Sequence, residues 1–177
     1  TPDEHKPQAL AVLNPKLPGS HYPFKNLCGV GVAFKLIQAM NRTGRAPLNM
    51  RRYLQIAAIG TIADMVPLRE ENRWLVANGL REIGRDEHSP LRYLLRRLGL
   101  RGDADALDIS FKVAPRINAP GRLGDPDVAI DFLTSTSPKE MNRLCDVMEG
   151  MNTVRQMLER EVEAKIENQL RHAIRDR

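Results

Sequence analysis

From Ser137-Pro138 onward the chain has no further proline, and its apolar residues recur at three- and four-residue steps. They are Met141, Leu144, Val147, Met148, Met151, Val154, Leu158, Val162, Ile166, Leu170 and Ile174. Serine before proline is a helix start, because the hydroxyl can cap the first turn and proline at the first helical position gives up an N–H that has no partner anyway. One helix from 138 to about 175 is therefore predicted, roughly 55 Å long at 1.5 Å per residue. Beyond Arg155 the apolar seam narrows and charges alternate around it. Such a tail either pairs with another helix, a second copy of the chain included, or bridges to a further domain.

The same period governs most of what precedes it. A helix is expected from Gly29, with Val30, Ala33, Phe34, Ile37 and Met40 on one face and Gly44 with Pro47 closing it. A second, over about 50–62, is apolar on most of its circumference and should be buried. A third runs from Glu70 to Gly84, and a fourth from Pro90 to a terminating Gly99. Asp108 can cap a helix through Val113, and another starts at Asp125 or Asp127. Two segments read differently. Ala9 to Asn14 is a short apolar run predicted as a buried strand, and Arg116 to Gly124, punctuated by Pro120, Gly121 and Gly124, is predicted as a shaped loop. Between the strand and the first helix, Pro15, Pro18, Gly19 and Pro23 describe a rigid, ordered loop anchored by Tyr22 and Phe24.

Composition excludes several functions. No apolar run approaches the roughly 20 residues a bilayer requires, so no membrane association is expected. Cys28 and Cys145 are far apart and lack Cys-x-x-Cys or nearby histidines, which argues against structural zinc and disulfides and for a cytoplasmic setting. Aromatics are 5% of the 177 residues, too few for a base-stacking sheet, so any nucleic-acid binding must lean on charge. The net charge is +5, and the surplus is N-terminal: residues 1–70 carry nine bases and four acids, while the rest is balanced. An acidic partner is favoured there. The opening Thr-Pro-Asp-Glu-His-Lys-Pro carries no secretory signal and reads as the interior of a longer protein.

Three places could carry chemistry. In Gly60-Thr-Ile-Ala-Asp64 a carboxylate sits at a helix C-terminus amid apolar residues, where the helix dipole and burial both oppose it. A divalent cation would compensate it, and so would backbone N–H groups of the following turn. Asp3, Glu4 and His5 are three consecutive ligand types, or a solvated terminus. Arg116, Asn118 and Arg122 could clamp a phosphate, with Gly121 allowing close approach, or could pair with Asp125 and Asp127. Gly29-Val-Gly31 lacks the lysine of a phosphate loop and reads mostly as tight packing.

Taken together, Asp3-Glu4-His5-x-Pro7, Asn14-Pro15-Lys16-x-Pro18-Gly19-x-x-Tyr22-Pro23-Phe24-Lys25, Gly60-Thr61-Ile62-Ala63-Asp64 and Ala114-Pro115-Arg116-Ile117-Asn118-Ala119-x-Gly121-Arg122-Leu123-Gly124 resemble the RecJ 5′ to 3′ exonucleases of the DHH phosphoesterase superfamily. The likeness runs over essentially the whole chain. It implies a mainly α chain: residues 1–70 as the C-terminal part of an α/β DHH catalytic domain, 71–137 as a helical region carrying the arginine loop, and 138–177 as a long helix leading toward a DHHA1-type domain. It also implies Mn2+ or Mg2+ in a two-metal site, single-stranded DNA as substrate, and DNA repair proteins as partners. Asp64 matches the family's last metal-binding aspartate. The Asp-His-His motif falls on Asp3, Glu4 and His5, so Glu4 stands where the family has its first histidine. The aspartates of the family's first two motifs and the downstream glycine-rich motif have no counterpart in these 177 residues, so the chain is expected to be an inactive fragment. Two rivals stay open: a non-catalytic replication or repair scaffold, and a phosphoesterase for short oligonucleotides.

Overall fold

The computed structural model describes residues 8–44, 47–100 and 104–175, with side chains as far as Arg171. These residues are mainly helical, and no strand occurs among them. They form two compact units, Thr1–Ser110 and Phe111–Arg177.

In the first unit α1 (Gly29–Thr43), α2 (Met50–Ala63) and α3 (Glu70–Arg85) pack in sequence order, and α4 (Pro90–Arg97) meets α3. α2 is the central helix, buried at Leu54, Ala57, Ala58, Ile59, Thr61 and Ile62 as its all-round apolar pattern predicts. Small residues set how closely its neighbours approach. A Cβ on Gly79 of α3 would lie 2.4 Å from the Ala58 Cβ and 2.6 Å from the Leu54 carbonyl oxygen, and one on Gly60 would lie 2.6 Å from Val30 Cγ1 of α1. Leu75 and Ile83 fill the space beside these contacts, each contributing about 1.5–3 kcal/mol by leaving water. The Gly29-Val-Gly31 reading divides. Gly31 is packed against Leu27, whereas Gly29 faces open space.

The helix ends obey capping chemistry. The Ser89 hydroxyl accepts from the Arg92 N–H at 3.0 Å, with Pro90 opening α4. Gly99, at φ +70, ends α4 through bonds from its own N–H to the Arg96 carbonyl and from the Leu100 N–H to the Leu95 carbonyl.

The expected strand over 9–14 is corrected. Those residues are irregular, and Leu10 and Leu13 are exposed. A strand is held by a ladder, and no described segment offers one to pair with.

In the second unit α6 (Ala114–Arg122) and α7 (Asp127–Thr134) pack on each other and on α8 (Pro138–Arg175). The loop predicted over 116–124 is corrected: most of it is α6, preceded by the short α5 (Ala106–Asp108) and a π turn over Ile109–Val113. Pro115 is the second residue of α6 and follows the π turn directly. Pro120 does remove an internal bond, but it and Ala119 are buried, and that packing overrides the propensity. Gly124 at φ +89 marks the real end. The predicted cap moves as well, since Asp105 rather than Asp108 accepts from a first-turn N–H, that of Asp108 itself, at 2.8 Å. α8 spans the predicted range. It is buried at Met141, Leu144, Cys145, Met148 and Asn152, and exposed at Val154 and over 156–171, with Arg155 half-buried. No helix among the described residues is long and apolar enough to cross a membrane.

Candidate functional site

Asp64 is the C-cap of α2, its N–H bonded to the Gly60 carbonyl at 3.0 Å. Its side chain is exposed, so the burial penalty expected for it is absent. Among the described residues no backbone N–H donates to the carboxylate, which leaves the turn-capping alternative without its bonds. Immediately past Asp64 the backbone turns a strained corner. Met65 takes the left-handed conformation at φ +51, which costs a side chain other than glycine or asparagine about 1–2 kcal/mol. Met65 is also almost fully exposed, so no burial of its side chain offsets that cost.

The connector from Met65 to Arg69 is held from α3. Asn72, fully buried, donates from Nδ2 to the Pro67 carbonyl at 3.0 Å and to the Asn26 carbonyl at 2.8 Å. Its Oδ1 has no partner. One residue earlier, Glu71 accepts from the Tyr22 hydroxyl at 2.6 Å and from Lys35 Nζ at 2.7 Å, joining the proline-rich loop, α1 and α3. Burial raises the Glu71 pKa, but the Lys35 and Tyr22 donors outweigh it and the carboxyl ends below its ordinary value. Burial lowers the Lys35 pKa, yet Glu71 turns the net shift upward. Tyr22 is raised by burial and then by Glu71. Sequence reading missed both arrangements. The legible signal for Asn72 was its position: with Leu75, Val76, Gly79 and Ile83 it shares the buried face of α3, as the one polar residue there with two donors to place.

In the second unit, Asn118 and Arg122 are four residues apart on α6 and share an exposed face. Neither side chain pairs with Asp125 or Asp127. Arg116 lies on another face. Its guanidinium forks onto Glu149 of α8, through Nε to Oε2 and through Nη2 to Oε1 at 3.0 Å, and Nη1 donates to the Lys112 carbonyl at 2.7 Å. The three residues are thus brought to one helix but not to one face. A Cβ at Gly121 would meet nothing, so that side of α6 is open to an approaching group.

Asp3, Glu4 and His5 lie outside the described residues. Among those described, no group of three His, Cys, Asp or Glu side chains could hold a metal ion. An apolar groove of about 540 Å³ lies between the proline-rich loop and α1, with Lys35 as its one charged lining residue; Asp64 is not part of it.

No family model matches the chain. It is 40% identical, over 158 residues and 89% of its length, to the single-stranded-DNA-specific exonuclease RecJ of Bacillus subtilis strain 168. The chain belongs to the RecJ family. Its structure resembles that of RecJ from Thermus thermophilus in complex with Mn2+, with a TM-score of 0.79 at 36% identity over 93% of this chain. The Mg2+ complex of RecJ from the same organism gives 0.70 at 38% identity over 78%. The chain spans 20% of the Bacillus RecJ, and 24% and 22% of the two Thermus RecJ chains.

Proposed function

We propose that the chain is part of a RecJ-like nuclease that hydrolyses phosphodiester bonds of single-stranded DNA with divalent metal ions, in recombination and repair. The observation that carries this reading is Asp64, an exposed carboxylate with no partner among the described residues, at the end of a buried helix, in a chain whose relatives are RecJ proteins crystallised with Mn2+ and Mg2+. Residues 1–70 belong on this reading to an α/β DHH domain and 71–137 to a helical region, with the helix from 138 leading toward a DHHA1-type domain. The setting is cytoplasmic, and repair proteins are partners.

The donor chemistry fits one ligand. A free carboxylate is a hard oxygen donor suited to Mn2+ or Mg2+, and its place at a helix C-terminus adds partial negative charge that favours a cation. With no group of three ligating side chains among the described residues, Asp64 contributes to a site that other residues complete, Glu4 and His5 among them. Divalent ions held in part by Asp64 would supply an activated water for attack on the phosphodiester. The work of this chain is to aim one carboxylate and to bind phosphate. Asn118 and Arg122 are free to do the latter, whereas Arg116 must exchange Glu149 for phosphate.

In the full-length protein Asp64→Asn is expected to reduce release of nucleotides from 5′-labelled single-stranded DNA in Mn2+ at least about 100-fold, the upper end of what losing an outer-shell partner alone costs. Its thermal midpoint should stay within a degree or two, since the side chain is exposed and bonds to no described residue. A fully active variant would refute the ligand role. The 177-residue chain alone is expected to show no turnover. Glu4 at the histidine position favours the scaffold alternative, which predicts an inactive wild-type protein; a preference for short oligonucleotides would support the phosphoesterase alternative instead.

A further inference from the structure

We propose that Asn72 is a positioning residue for the Asp64 carboxylate, fixing the connector that carries it and thereby the geometry with which it meets a divalent cation. This role rests on Asp64 being a metal ligand.

Because the Asp64 side chain has no hydrogen bond to any described residue, the backbone is what aims it. That backbone passes at once into the left-handed Met65, a conformation that persists in a residue other than glycine only where the surroundings over-determine it. The exposed Met65 side chain supplies no such determination. The Met65 N–H itself bonds to the Ile62 carbonyl of α2 at 3.1 Å, and a second hold comes two residues later, where the Pro67 carbonyl accepts two donors: the Arg69 N–H at 2.9 Å and Asn72 Nδ2 at 3.0 Å. The first is local and moves with the connector. The second is anchored in the buried face of α3, and its other hydrogen goes to the Asn26 carbonyl, two residues before the N-cap of α1. One rigid carboxamide thus spans the lead into α1 and the exit from α2.

Stability alone is a poor account of an amide at this position. Its Oδ1 is buried without a partner, a state that proteins rarely tolerate and that an apolar residue would avoid. What asparagine offers here is two donors at a fixed angle to two carbonyls. Glu71 provides the internal control, because it ties the same turn of α3 to Tyr22 and Lys35 without touching the connector.

The test is Mn2+ binding to the full-length protein, read as free Mn2+ by electron paramagnetic resonance, alongside thermal midpoints without metal. Asn72→Ala is expected to raise the half-saturating Mn2+ concentration about tenfold, the usual consequence of removing an outer-shell support. Glu71→Gln should lower the thermal midpoint yet leave Mn2+ binding within twofold of wild type. If Asn72→Ala does not fold, Asn72→Ser, which keeps one donor, is measured in its place and should give a smaller shift of the same sign. Wild-type Mn2+ binding by the folded Asn72 variant, whatever its midpoint, would overturn the proposal, and so would an equal weakening by Glu71→Gln. Asp64→Asn measured in parallel separates the two levels. If it loses Mn2+ while the Asn72 variant does not, only the positioning role falls; if it binds as wild type does, the ligand reading falls and takes this role with it.

Discussion

In α3 the residues at helical spacing, Asn72, Leu75, Val76, Gly79 and Ile83, are all buried. In α8 beyond Asn152 the apolar residues at four-residue steps, Val154, Leu158, Val162, Ile166 and Leu170, are each about half exposed, from 47% to 57%. Both patterns specify a helix without specifying what covers its apolar side, and the strict four-residue step carries the α8 stripe about 40° around the helix at each repeat. The difference lies in side-chain size. α3 carries Gly79 where it meets Ala58 of α2, which lets the backbones close until Leu75 and Ile83 are sealed. The distal α8 has bulky residues with charges on either side, a narrow stripe in place of a surface that seats against another helix.

Breaking the close approach should give the largest effect. Gly79→Val places a branched side chain 2.4 Å from the Ala58 Cβ and 2.6 Å from a backbone carbonyl that cannot swing away. A cost of about 3 kcal/mol is expected, the upper end of overpacking, as a fall in the urea midpoint with unchanged slope. Gly60→Ala meets only the Val30 side chain and should cost less. If Gly79→Val were as stable as wild type, tight α2–α3 packing would not be what distinguishes the two regions.

Much of this was legible in the sequence. Helix starts at Gly29, Glu70, Pro90 and Pro138, the buried α2 and the glycine stop at Gly99 all come from local chemistry that packing did not override. The failures share a cause. Arg116 to Gly124 has the composition of a loop, yet burial of Ala119 and Pro120 makes it a helix; Ala9 to Asn14 has the composition of a strand, yet a strand exists only with a partner. Both depend on what lies elsewhere in space. Of the candidate residues, Asp64 was visible as an acid in an apolar setting, though the setting turned out to be solvent. The split between Arg116 and the pair Asn118 and Arg122 was hidden, because assigning residues to faces requires knowing that they are helical.

A second difference between the regions is that α3 is also tied by the Glu71 carboxylate, which supplies a pH signature. With its pKa below the ordinary 4.5 in the fold, Glu71 contributes stability that is complete above the unfolded value and lost as pH falls through the folded one. Lys35 and Tyr22 are raised above 10.5 and 10.0, so their share is complete below those values and lost only as pH rises beyond them. The thermal midpoint of wild type should therefore exceed that of Glu71→Gln by a constant margin between about pH 5 and 9, and the margin should close below about pH 4.5. Because the pair is a third exposed, the margin is at most about 2–4 °C. A gap that persisted at pH 3 would show that packing rather than charge sets the Glu71 contribution.

The smallest effect is expected in the distal α8. Its stripe leaves little surface to bury on folding, and its internal support is of the i,i+4 kind, such as Arg155 Nη1 to Glu159 at 2.5 Å and Arg171 to Glu167 at 3.9 Å, each worth about 0.2–0.5 kcal/mol. Ile166→Ala should change the unfolding free energy of the 177-residue chain by less than about 0.5 kcal/mol, as for an exposed position. Amides beyond about Arg160 should exchange quickly, while those around Leu144 and Met148, buried against α6 and α7, should exchange slowly. Measuring exchange at two protein concentrations sharpens the comparison. Protection that rises with concentration and falls in Ile166→Ala would mean that a second copy covers the stripe, giving α8 the burial that α3 obtains from α2. Strong protection at both concentrations in a chain that sediments as a monomer would mean that the tail packs on its own core, and the contrast between the two helices would collapse.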